Sequence, residues 1–527
     1  MRGAAAARAP DPDIKSRGVI RGPNPACPRK RSSGRLSVPM LAPDICQRAM
    51  RARDPRFDGV FFVGITTTGV YCRPVCPSRV ARPSHRRFFE SAALAERAGF
   101  RPCLRCRPEL APGRSQMDAV PRLARAAAQR IAAGALNGHA LSQLARELGV
   151  SERHLRRAME REIGVSPLAL AQTHRLLLAK RLLADTALPV TRIAFASGFR
   201  SLRRFNSVFR ERYGLSPSAL RPRGVGRREY ETVRLTLAYR PPFAWDVLIA
   251  LLAREALPGV EVVRDGRYAR TVRLAGERGV VFVAAGPAGA NHLAVDVSPA
   301  LLPALMTLLA RLRHLFDLDA EPTVVDAHLA QGGLAALVER RPGVRLPGAL
   351  DGFEAALRAL LHGSRARARR VVDALGEPHD TGTPGLTRLS PGAERVAEAG
   401  AERLAALGVP RRRATGLVAV ARAVAEGSLR LEPGGDVEAA RRALRQMPGV
   451  DDRIEAAIVS RALDWPDAFP ASDRSLQHAA GAARATDLES RAEQWRPWRA
   501  YAALHLWLHD TEKGTNGQQA YRKRALR

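Results

Sequence analysis

The stretches Tyr71–Cys76 (YCRPVC) and Arg101–Cys106 (RPCLRC) decide how the first ordered part of this chain folds. Each stretch carries two cysteines a few residues apart, and a basic segment separates the two pairs. Two close cysteine pairs at this spacing are typical of a tetrahedral zinc site with four sulfur ligands. The spacing therefore predicts a Zn²⁺ centre with the ligands Cys72, Cys76, Cys103 and Cys106.

Arginines are frequent in and around both stretches. Four thiolates around one Zn²⁺ leave a doubly negative centre, which neighbouring cations stabilise. The arginines available for this are Arg73, Arg79, Arg82, Arg86, Arg87, Arg101, Arg105 and Arg107. A purely structural zinc site explains the spacing, and so does a site in which one zinc-bound thiolate is also a nucleophile. The spacing by itself leaves both interpretations open.

The composition restricts the class of protein. A chain of 527 residues is long enough for several domains. Its formal net charge of +34 at pH 7 indicates a polyanionic partner, most simply nucleic acid. Aromatic residues make up only 5% of the chain, which argues against a platform for stacking single-stranded bases. Six cysteines are too few for a disulfide framework, so we expect a reducing, cytoplasmic compartment. No apolar run is long enough to cross a bilayer, and we expect no membrane partner.

Residues 1–40 are rich in Arg, Pro, Ala and Gly and show no periodicity, so we expect a disordered or untranslated extension. Met40 is an alternative start, because ordered sequence begins just after it. Residues 41–112 are predicted to form a small α+β domain, with a strand in Gly59–Thr66 and a helix near Ser91–Ala98. Cys46 lies outside the two cysteine pairs and is expected to be buried.

Phe61–Cys76 (FFVGITTTGVYCRPVC) and Phe100–Cys106 (FRPCLRC) resemble the N-terminal domain of the Ada adaptive-response regulators. The resemblance implies that the four cysteines bind zinc. It also implies that Cys72, the first cysteine of the CRPxC pair, accepts a methyl group from a methylphosphotriester in DNA. Zinc keeps a thiol deprotonated at neutral pH, and the thiolate is the nucleophilic form of cysteine.

Residues 117–222 are predicted to be all helical, with two similar units in Leu141–Glu162 and Val190–Tyr213. In each unit a glycine makes the turn and a serine is placed to cap the second helix. These residues are Gly149 with Ser151 and Gly198 with Ser201. A generic helical bundle would show the same periodicity, but a capped basic helix after each turn favours a double helix-turn-helix that binds DNA.

The two units, together with the phrase Tyr213–Pro217 (YGLSP), resemble the DNA-binding domain of AraC-type regulators. The resemblance implies that two helices enter successive major-groove turns of double-stranded DNA. Polar side chains of the second helices are therefore candidates for base or phosphate contact. They are Arg153, His154, Arg156 and Arg157 in the first unit and Arg200, Arg203, Arg204 and Asn206 in the second.

Residues 229–345 are predicted to form a separate α+β domain, because alternating strand-like runs precede a leucine-rich helix at Leu301–Phe316. Residues 346–510 are predicted to be helical, followed by a basic tail at 511–527. The pattern of residues 229–345 assigns no function by itself.

Both segments nevertheless resemble AlkA-type 3-methyladenine DNA glycosylases of the helix-hairpin-helix family. In the first segment the similar residues are Tyr239–Trp245 (YRPPFAW), Tyr268–Arg270, Leu315–Leu318 and Arg341–Leu346. In the second they are Leu350–Leu361, Leu404–Val409, Pro433–Gln446, Met447–Val450, Asp467–Asp473 and Trp495–Trp507. The resemblance implies that Asp473 is the catalytic carboxylate, that Gly449 contacts DNA at the hairpin, and that Trp507 lines the base pocket. Without the resemblance, an Asp before a basic residue is more simply a helix N-cap.

The hairpin departs from the usual family form PGIGxWTA. Asp451 replaces the second glycine, Asp452 follows it, and Arg453 stands where the family has a tryptophan. The segment that carries the family's wedge reads His362–Ala366 (HGSRA) here. Two carboxylates would repel the DNA backbone, and Arg453 removes a stacking surface, so we expect weakened or altered base excision. Arginine cannot form a Schiff base, so any such enzyme would be monofunctional.

Taken together, the resemblances predict an alkylation-response protein that accepts methyl groups, regulates promoters and excises bases such as 3-methyladenine. Such a regulator implies RNA polymerase as a further partner and a location at the bacterial nucleoid. The alternative is a non-enzymatic zinc-containing transcription factor of the AraC type, in which the glycosylase part is only a scaffold.

Overall fold

The computed structural model describes residues 41–113, 122–221 and 232–511, which together form a multidomain protein of mixed α and β structure. The predicted extension at 1–40 and the predicted tail beyond residue 511 lie outside the described residues. No helix in the described part of the chain combines the length and the hydropathy that a membrane crossing needs.

Residues 41–113 fold around a small four-stranded sheet. Its elements are α1 (Pro43–Ala52), β1 (Phe62–Ile65), β2 (Val70–Cys72), β3 (Arg86–Phe89), α2 (Ala92–Arg97) and β4 (Arg101–Pro102). The strand order is β3-β1-β2-β4, with β4 parallel to β2 and the other pairs antiparallel. Neighbouring side chains of β1 point to opposite faces. Val63 therefore packs with the fully buried Cys46, while Phe62 packs with Tyr71. The predicted strand, helix and buried Cys46 are confirmed.

Residues 122–221 are helical, as predicted. The helices are α3 (Arg122–Ala132), α4 (Leu141–Glu147), α5 (Glu152–Glu162), α6 (Pro167–Asp185), α7 (Val190–Ala196) and α8 (Leu202–Tyr213). Gly149 and Gly198 make the two turns with φ of +70° and +84°, a region that glycine enters without a steric penalty. Ser151 and Ser201 each accept a hydrogen bond at 3.3 Å from a backbone N–H in the first turn of α5 and α8. Both helix-turn-helix units are therefore confirmed.

The long helix α6 connects the two units. Leu170 and Ala171, in its first half, pack with the core of α3, α4 and α5. Leu176 and Leu182, in its second half, pack with α7 and α8 and with the sheet that follows. Both units are thus fixed to one rigid element.

The α+β segment that follows is built on an antiparallel sheet of order β5-β9-β8-β7-β6. Its strands are β5 (Val233–Ala238), β6 (Glu261–Arg264), β7 (Arg267–Leu274), β8 (Glu277–Ala285) and β9 (His292–Val297), and its helices are α9 (Trp245–Glu255), α10 (Leu305–Leu315), α11 (Pro322–Leu329) and α12 (Ala335–Arg340). The prediction of one continuous helix at Leu301–Phe316 was wrong at its start. Pro299–Ala304 is a 3-10 helix containing Pro303, whose missing N–H disfavours a regular helix. The predicted leucine face is confirmed, because all its members are buried.

The C-terminal part is helical up to residue 511. Its helices are α13 (Gly352–Leu361), α14 (Arg365–Leu375), α15 (Ala393–Ala406), α16 (Arg411–Ala425), α17 (Val437–Arg445), α18 (Asp452–Leu463), α19 (Arg474–Ala480), α20 (Ala485–Ala492) and α21 (499–511). The exception to the predicted helical structure is the segment 377–391, which reaches back to the sheet: Thr387 donates to the carbonyl of Gly259 at 2.8 Å.

A buried ion-pair network joins this helical part to the sheet. Glu354 on α13 binds Arg270 of β7 and Arg358 of its own helix, each at 2.7 Å. Glu261 of β6 completes the network with Arg270. The side chains of Glu354 and Arg270 are each only 2% exposed, so their charges depend on one another.

Candidate reaction centres and DNA-binding surface

The four predicted cysteine ligands converge on one point. Their Sγ atoms all lie within 4.8 Å of one another, and all four thiols are free of disulfides. The parallel pairing of β2 and β4 brings them together, because Cys72 ends β2 and Cys103 directly follows β4. The amide of Cys103 donates to the carbonyl of Tyr71 at 2.9 Å and fixes this register.

This donor set fits a zinc ion. Four sulfurs around Zn²⁺ at about 2.3 Å lie about 3.8 Å apart in a tetrahedron, close to the spread in this cluster. Cys103 and Cys106 are 9% and 6% exposed, whereas Cys72 and Cys76 are only half-buried. The cluster therefore has a closed side and an open side.

The sulfurs differ in their hydrogen bonds. The amide of Arg73 donates to Sγ of Cys106, and the amide of Arg105 donates to Sγ of Cys103, both at 3.3 Å. Within the described residues, no backbone N–H binds Sγ of Cys72. Because a donated hydrogen bond withdraws electron density from a thiolate, the sulfurs of Cys103 and Cys106 are shielded in a way that the sulfur of Cys72 is not.

Carboxylates engage two of the nearby arginines. The guanidinium of Arg73 binds Asp58, with Nε to Oδ1 at 2.8 Å, and also donates to the carbonyl of Cys106 at 3.2 Å. Arg107 binds Asp185 on α6 at 2.7 Å. Arg73 therefore stabilises the cysteine domain itself, and Arg107 joins that domain to α6.

Buried polar contacts connect the cysteine centre to the helix-turn-helix units. Glu96 on α2 accepts from the hydroxyl of Tyr71 at 3.1 Å and from that of Thr173 on α6 at 2.8 Å. Burial raises the pKa of the Glu96 carboxyl, although the nearby Arg212 opposes this. Lys180 on α6 donates to the carbonyl of Cys103 at 3.1 Å. Each of these contacts joins residues that are far apart along the chain, so no local sequence pattern indicates them.

The predicted DNA-contacting side chains lie on the surface of the two second helices. Those of the first unit, Arg153, His154, Arg156 and Arg157, are all exposed on α5. In the second unit Arg200, Arg203 and Arg204 are exposed and Asn206 is half-buried. The first set lies in the N-terminal half of α5, and the second spans the turn before α8 and the first turns of that helix. The arrangement presents two basic surfaces to a polyanion.

Asp473 occupies the N-cap of α19 and is 9% exposed. Its Oδ1 accepts from the amide of Leu476 at 3.1 Å and lies 3.4 Å from Nε1 of Trp507 on α21. The N-cap reading of this residue is therefore confirmed, and the cap holds the carboxylate beside the indole of Trp507. A catalytic role remains compatible with this geometry.

The second carboxylate oxygen of Asp473 faces a cation. Nε of Arg453, in the first turn of α18, lies 3.3 Å from Oδ2 of Asp473. An Nη of Arg453 lies 2.7 Å from Nε2 of His362. Burial, together with Arg453, lowers the pKa of His362, so the neutral ring accepts this hydrogen bond. The change to arginine was visible in the sequence, but its pairing with Asp473 was not.

The hairpin between α17 and α18 turns at Gly449, whose φ is +72°. A Cβ there would lie 2.6 Å from the carbonyl oxygen of Arg412, so the turn is closely packed against α16. Asp451 caps α18 through the amide of Ile454 at 2.8 Å, and Asp452 accepts from Oγ of Ser472 at 3.0 Å. Both carboxylates thus have structural roles in addition to their predicted effect on DNA.

The sequence matches the families described as the metal binding domain of Ada (residues 45–109), a helix-turn-helix domain (144–223) and the AlkA N-terminal domain (234–351). It is 39% identical over 478 residues to a probable bifunctional transcriptional activator/DNA repair enzyme AlkA of Mycobacterium tuberculosis, covering 88% of this chain and 95% of that protein. It is 36% identical to the DNA-3-methyladenine glycosylase 2 of Escherichia coli over 279 residues, 52% of this chain and 96% of that protein.

A similar solved structure is the 3-methyladenine DNA-glycosylase from Archaeoglobus fulgidus. It is 20% identical, has a TM-score of 0.44, and covers 53% of this chain and 98% of that protein.

Proposed function

The chain belongs to the family of AlkA and Ada bifunctional transcriptional activators and DNA repair enzymes, and on that premise we propose that it repairs and responds to alkylated DNA. Its cysteine centre accepts methyl groups from DNA methylphosphotriesters, its helix-turn-helix units bind double-stranded promoter DNA, and its C-terminal half excises damaged bases. The observation that carries the proposal is the cluster of four thiols within 4.8 Å in which Cys72 stays half-exposed.

In this proposal Cys72, Cys76, Cys103 and Cys106 hold one Zn²⁺ ion. Bound zinc would keep the thiols deprotonated at neutral pH. Without a cation, four sulfurs so close together could not all carry negative charge. The free thiols and their spacing support this assignment.

Cys72 is the methyl acceptor of the proposal. Its Sγ attacks the methyl carbon of the phosphotriester, and the bond from that carbon to the ester oxygen breaks. The electron pair of that bond stays on the oxygen, which restores the negative phosphodiester, and the thiolate becomes a thioether. One negative charge is removed beside the DNA backbone, so repulsion falls and affinity for DNA rises.

Mass spectrometry tests the methyl transfer. The full-length protein is incubated with DNA that carries methylphosphotriesters, and the peptide containing Cys72 is examined after digestion. We expect a mass gain of one CH₂ group on Cys72 and none on Cys46, the buried cysteine outside the cluster. An unmodified Cys72 in protein that retains its zinc would contradict the methyl-acceptor role.

Asp473 is the catalytic carboxylate of the proposed glycosylase. It lies beside Trp507, close to the hairpin at Gly449 that would grip the DNA backbone. An alkylated purine already carries positive charge and leaves readily, so no strong general acid is needed. One carboxylate stabilises the positive charge that develops on the sugar and orients the attacking water.

Release of 3-methyladenine from methylated DNA tests this activity. We expect slow release by the full-length protein, slower than by the Escherichia coli relative, and no release by the Asp473→Asn variant. Release that Asp473→Asn leaves unchanged would contradict the catalytic role of Asp473. Turnover equal to that of the relative would contradict the weakening.

The pairing of Arg453 with Asp473 favours the second candidate, a regulator whose glycosylase part is only a scaffold. Undetectable base release from every damaged duplex, combined with methylation-dependent promoter binding, would establish that alternative. In either case we propose RNA polymerase as a further partner and the nucleoid as the location. The polymerase proposal is tested with purified RNA polymerase and a promoter fragment. The methylated protein should recruit the polymerase to the fragment, and the unmethylated protein should not.

A further inference from the structure

Arg453 is placed to act directly on any base that reaches Asp473. Its Nε lies 3.3 Å from Oδ2 of Asp473, and one Nη lies 2.7 Å from Nε2 of His362. His362 ends α13 and Asp473 begins α19, so the guanidinium is held between two separate elements. A side chain held at both ends has a defined position although it is 50% exposed.

The guanidinium still has hydrogen bonds to give. Arginine carries five N–H donors and no acceptor. One of them is donated to His362, while Nε forms an ion pair with Asp473 that does not have hydrogen-bond geometry; within the described residues the other N–H groups have no partner. Because half of the side chain is exposed, these donors are accessible to a molecule that approaches Asp473. A carbonyl oxygen on a base is the natural acceptor for them.

The charge of Arg453 also changes what the carboxylate offers. The two oxygens of Asp473 differ, because Oδ1 is occupied by Leu476 and Trp507 whereas Oδ2 faces the guanidinium. The pair is close to neutral overall. A base that carries positive charge therefore meets the repulsion of Arg453 while the attraction of Asp473 is offset.

We propose that Arg453 is a specificity-determining residue that selects neutral bases bearing a carbonyl group over cationic N-alkylpurines. The inference rests on the proposed glycosylase function and names its substrate class. Hypoxanthine in deoxyinosine is the simplest member of the favoured class, and 7-methylguanine is a purine with the same carbonyl position but a positive charge.

The positive charge of Arg453 can assist the departure of a neutral base. A neutral base must leave with the electron pair of its C1′–N bond, so it departs as an anion. The guanidinium donates to the carbonyl oxygen on which that charge accumulates. Water adds its oxygen to C1′ and passes one proton to Asp473, the departing base anion takes up one proton from solvent, and Asp473 then returns its proton to solvent. A cationic base leaves neutral and needs no such donor, so for that substrate Arg453 only opposes binding.

The test compares two duplexes that differ only in one base, deoxyinosine or 7-methyldeoxyguanosine, with the full-length protein in excess. Single-turnover rates at saturating protein separate the chemical step from affinity for the DNA backbone. We expect the wild type to favour deoxyinosine. We expect Arg453→Gln to shift the ratio of the two rates toward 7-methyldeoxyguanosine by about tenfold. This effect is smaller than that expected for a fully buried charge, because Arg453 is half-exposed.

Three further variants serve as controls. Arg453→Lys keeps the charge and should keep the preference. Arg453→Met removes the charge with a different shape and should act like Arg453→Gln, which guards against a folding defect in either one. Arg474→Gln removes a neighbouring exposed charge and should leave the ratio unchanged. Thermal unfolding establishes that each variant is folded.

The outcomes distinguish the inference from the function on which it rests. If Arg453→Gln changes both rates by the same factor, Arg453 merely blocks or supports the site and the specificity role is wrong. If no protein releases either base, and Asp473→Asn is indistinguishable from the wild type, the glycosylase function itself is wrong and the inference falls with it. A second measurement uses binding instead of turnover. The affinities for two duplexes are compared, one with a cationic pyrrolidine abasic analogue and one with a neutral tetrahydrofuran analogue. Arg453→Gln should shift the ratio of these affinities toward the cationic analogue.

Discussion

Cys72 and Asp473 are held in different ways. Cys72 shares its centre with three other sulfurs within 4.8 Å, and the surrounding strands are arranged to bring all four together. Asp473 is fixed by one helix terminus and one indole, with a cation on its free side. A centre that needs every ligand cannot lose one and remain, whereas the surroundings of a single carboxylate can change residue by residue. The first centre carries its complete four-cysteine motif, whereas the second has Arg453 beside its carboxylate.

The largest effect is expected for a substitution that disrupts only the cysteine centre. Cys103→Ser removes one sulfur of the cluster, and because structural zinc contributes on the order of 10 kcal/mol to folding, residues 41–113 should unfold locally. Metal content and limited proteolysis would show loss of zinc and cleavage in this segment. If the two centres are held independently, base release that depends on Asp473 should persist.

Cys46→Ser is the matched control, because Cys46 is also buried but lies outside the cluster. It should keep one zinc ion per chain and lose only about 1–3 kcal/mol from burial of a more polar side chain. Loss of zinc from Cys46→Ser, or loss of base release from Cys103→Ser, would show that the two regions are not independent.

The next effect concerns the ion pairs that hold the C-terminal half. Glu354→Gln leaves Arg270 and Arg358 with less negative charge around them, at a cost of about 3–5 kcal/mol in the free energy of unfolding. Glu438→Gln, which removes an exposed partner of Arg441, should cost about 1 kcal/mol or less. Thermal unfolding at neutral pH measures both changes, and equal effects would contradict the structural role of the buried network.

The same pair has a pH dependence with a definite sign. Burial raises the pKa of Glu354, but Arg270 and Arg358 outweigh it, so the net pKa is below the usual 4.5. The stabilisation is therefore present at neutral pH and is lost only as the pH falls below 4.5 toward the folded-state pKa. The difference in stability between wild type and Glu354→Gln should shrink over that range.

A smaller effect tests the close packing of the hairpin beside Asp473. Gly449→Ala places a Cβ 2.6 Å from the carbonyl oxygen of Arg412 at a φ of +72°, which should cost about 2–3 kcal/mol and displace the start of α18. Gly427→Ala has a similar φ of +75° but no atom within 4 Å, so it should cost only about 1 kcal/mol. Chemical denaturation compares the two, and base release should fall in the first variant alone.

The smallest expected effect is a loss of stability at acid pH that comes from one buried histidine in the C-terminal part. His505 on α21 is fully buried, and burial, assisted by Arg341, lowers the pKa of its ring to about 4. The unfolded chain takes up this proton below pH 6.5, so stability is lost as the pH falls from 6.5 toward 4, by about 1–2 kcal/mol at pH 5. His505→Leu should abolish this part of the pH dependence. An identical acid profile in the variant would show that His505 is not its source.

Sequence patterns predicted the local features well. The cysteine spacing predicted the cluster of four thiols, glycine followed by a capping serine predicted both helix-turn-helix units, and leucine periodicity predicted the buried face of α10. Each of these depends on residues close together in the chain, where backbone geometry converts spacing into position. The start of α10 was wrong for the same kind of local reason, because Pro303 interrupts the helix that the leucines suggested.

What the sequence by itself determined is therefore the inventory: four sulfurs, two basic helices, and one carboxylate after a hairpin. Only the tertiary structure decided how these parts meet. The parallel pairing of β2 with β4 joins the two cysteine pairs, and Glu96 ties that sheet to α6 through Thr173. The approach of the first turn of α18 to the N-terminus of α19 brings Arg453 to Asp473. Such contacts join residues that are distant in sequence. They follow from the packing of whole elements, which the local spacing of residues does not predict.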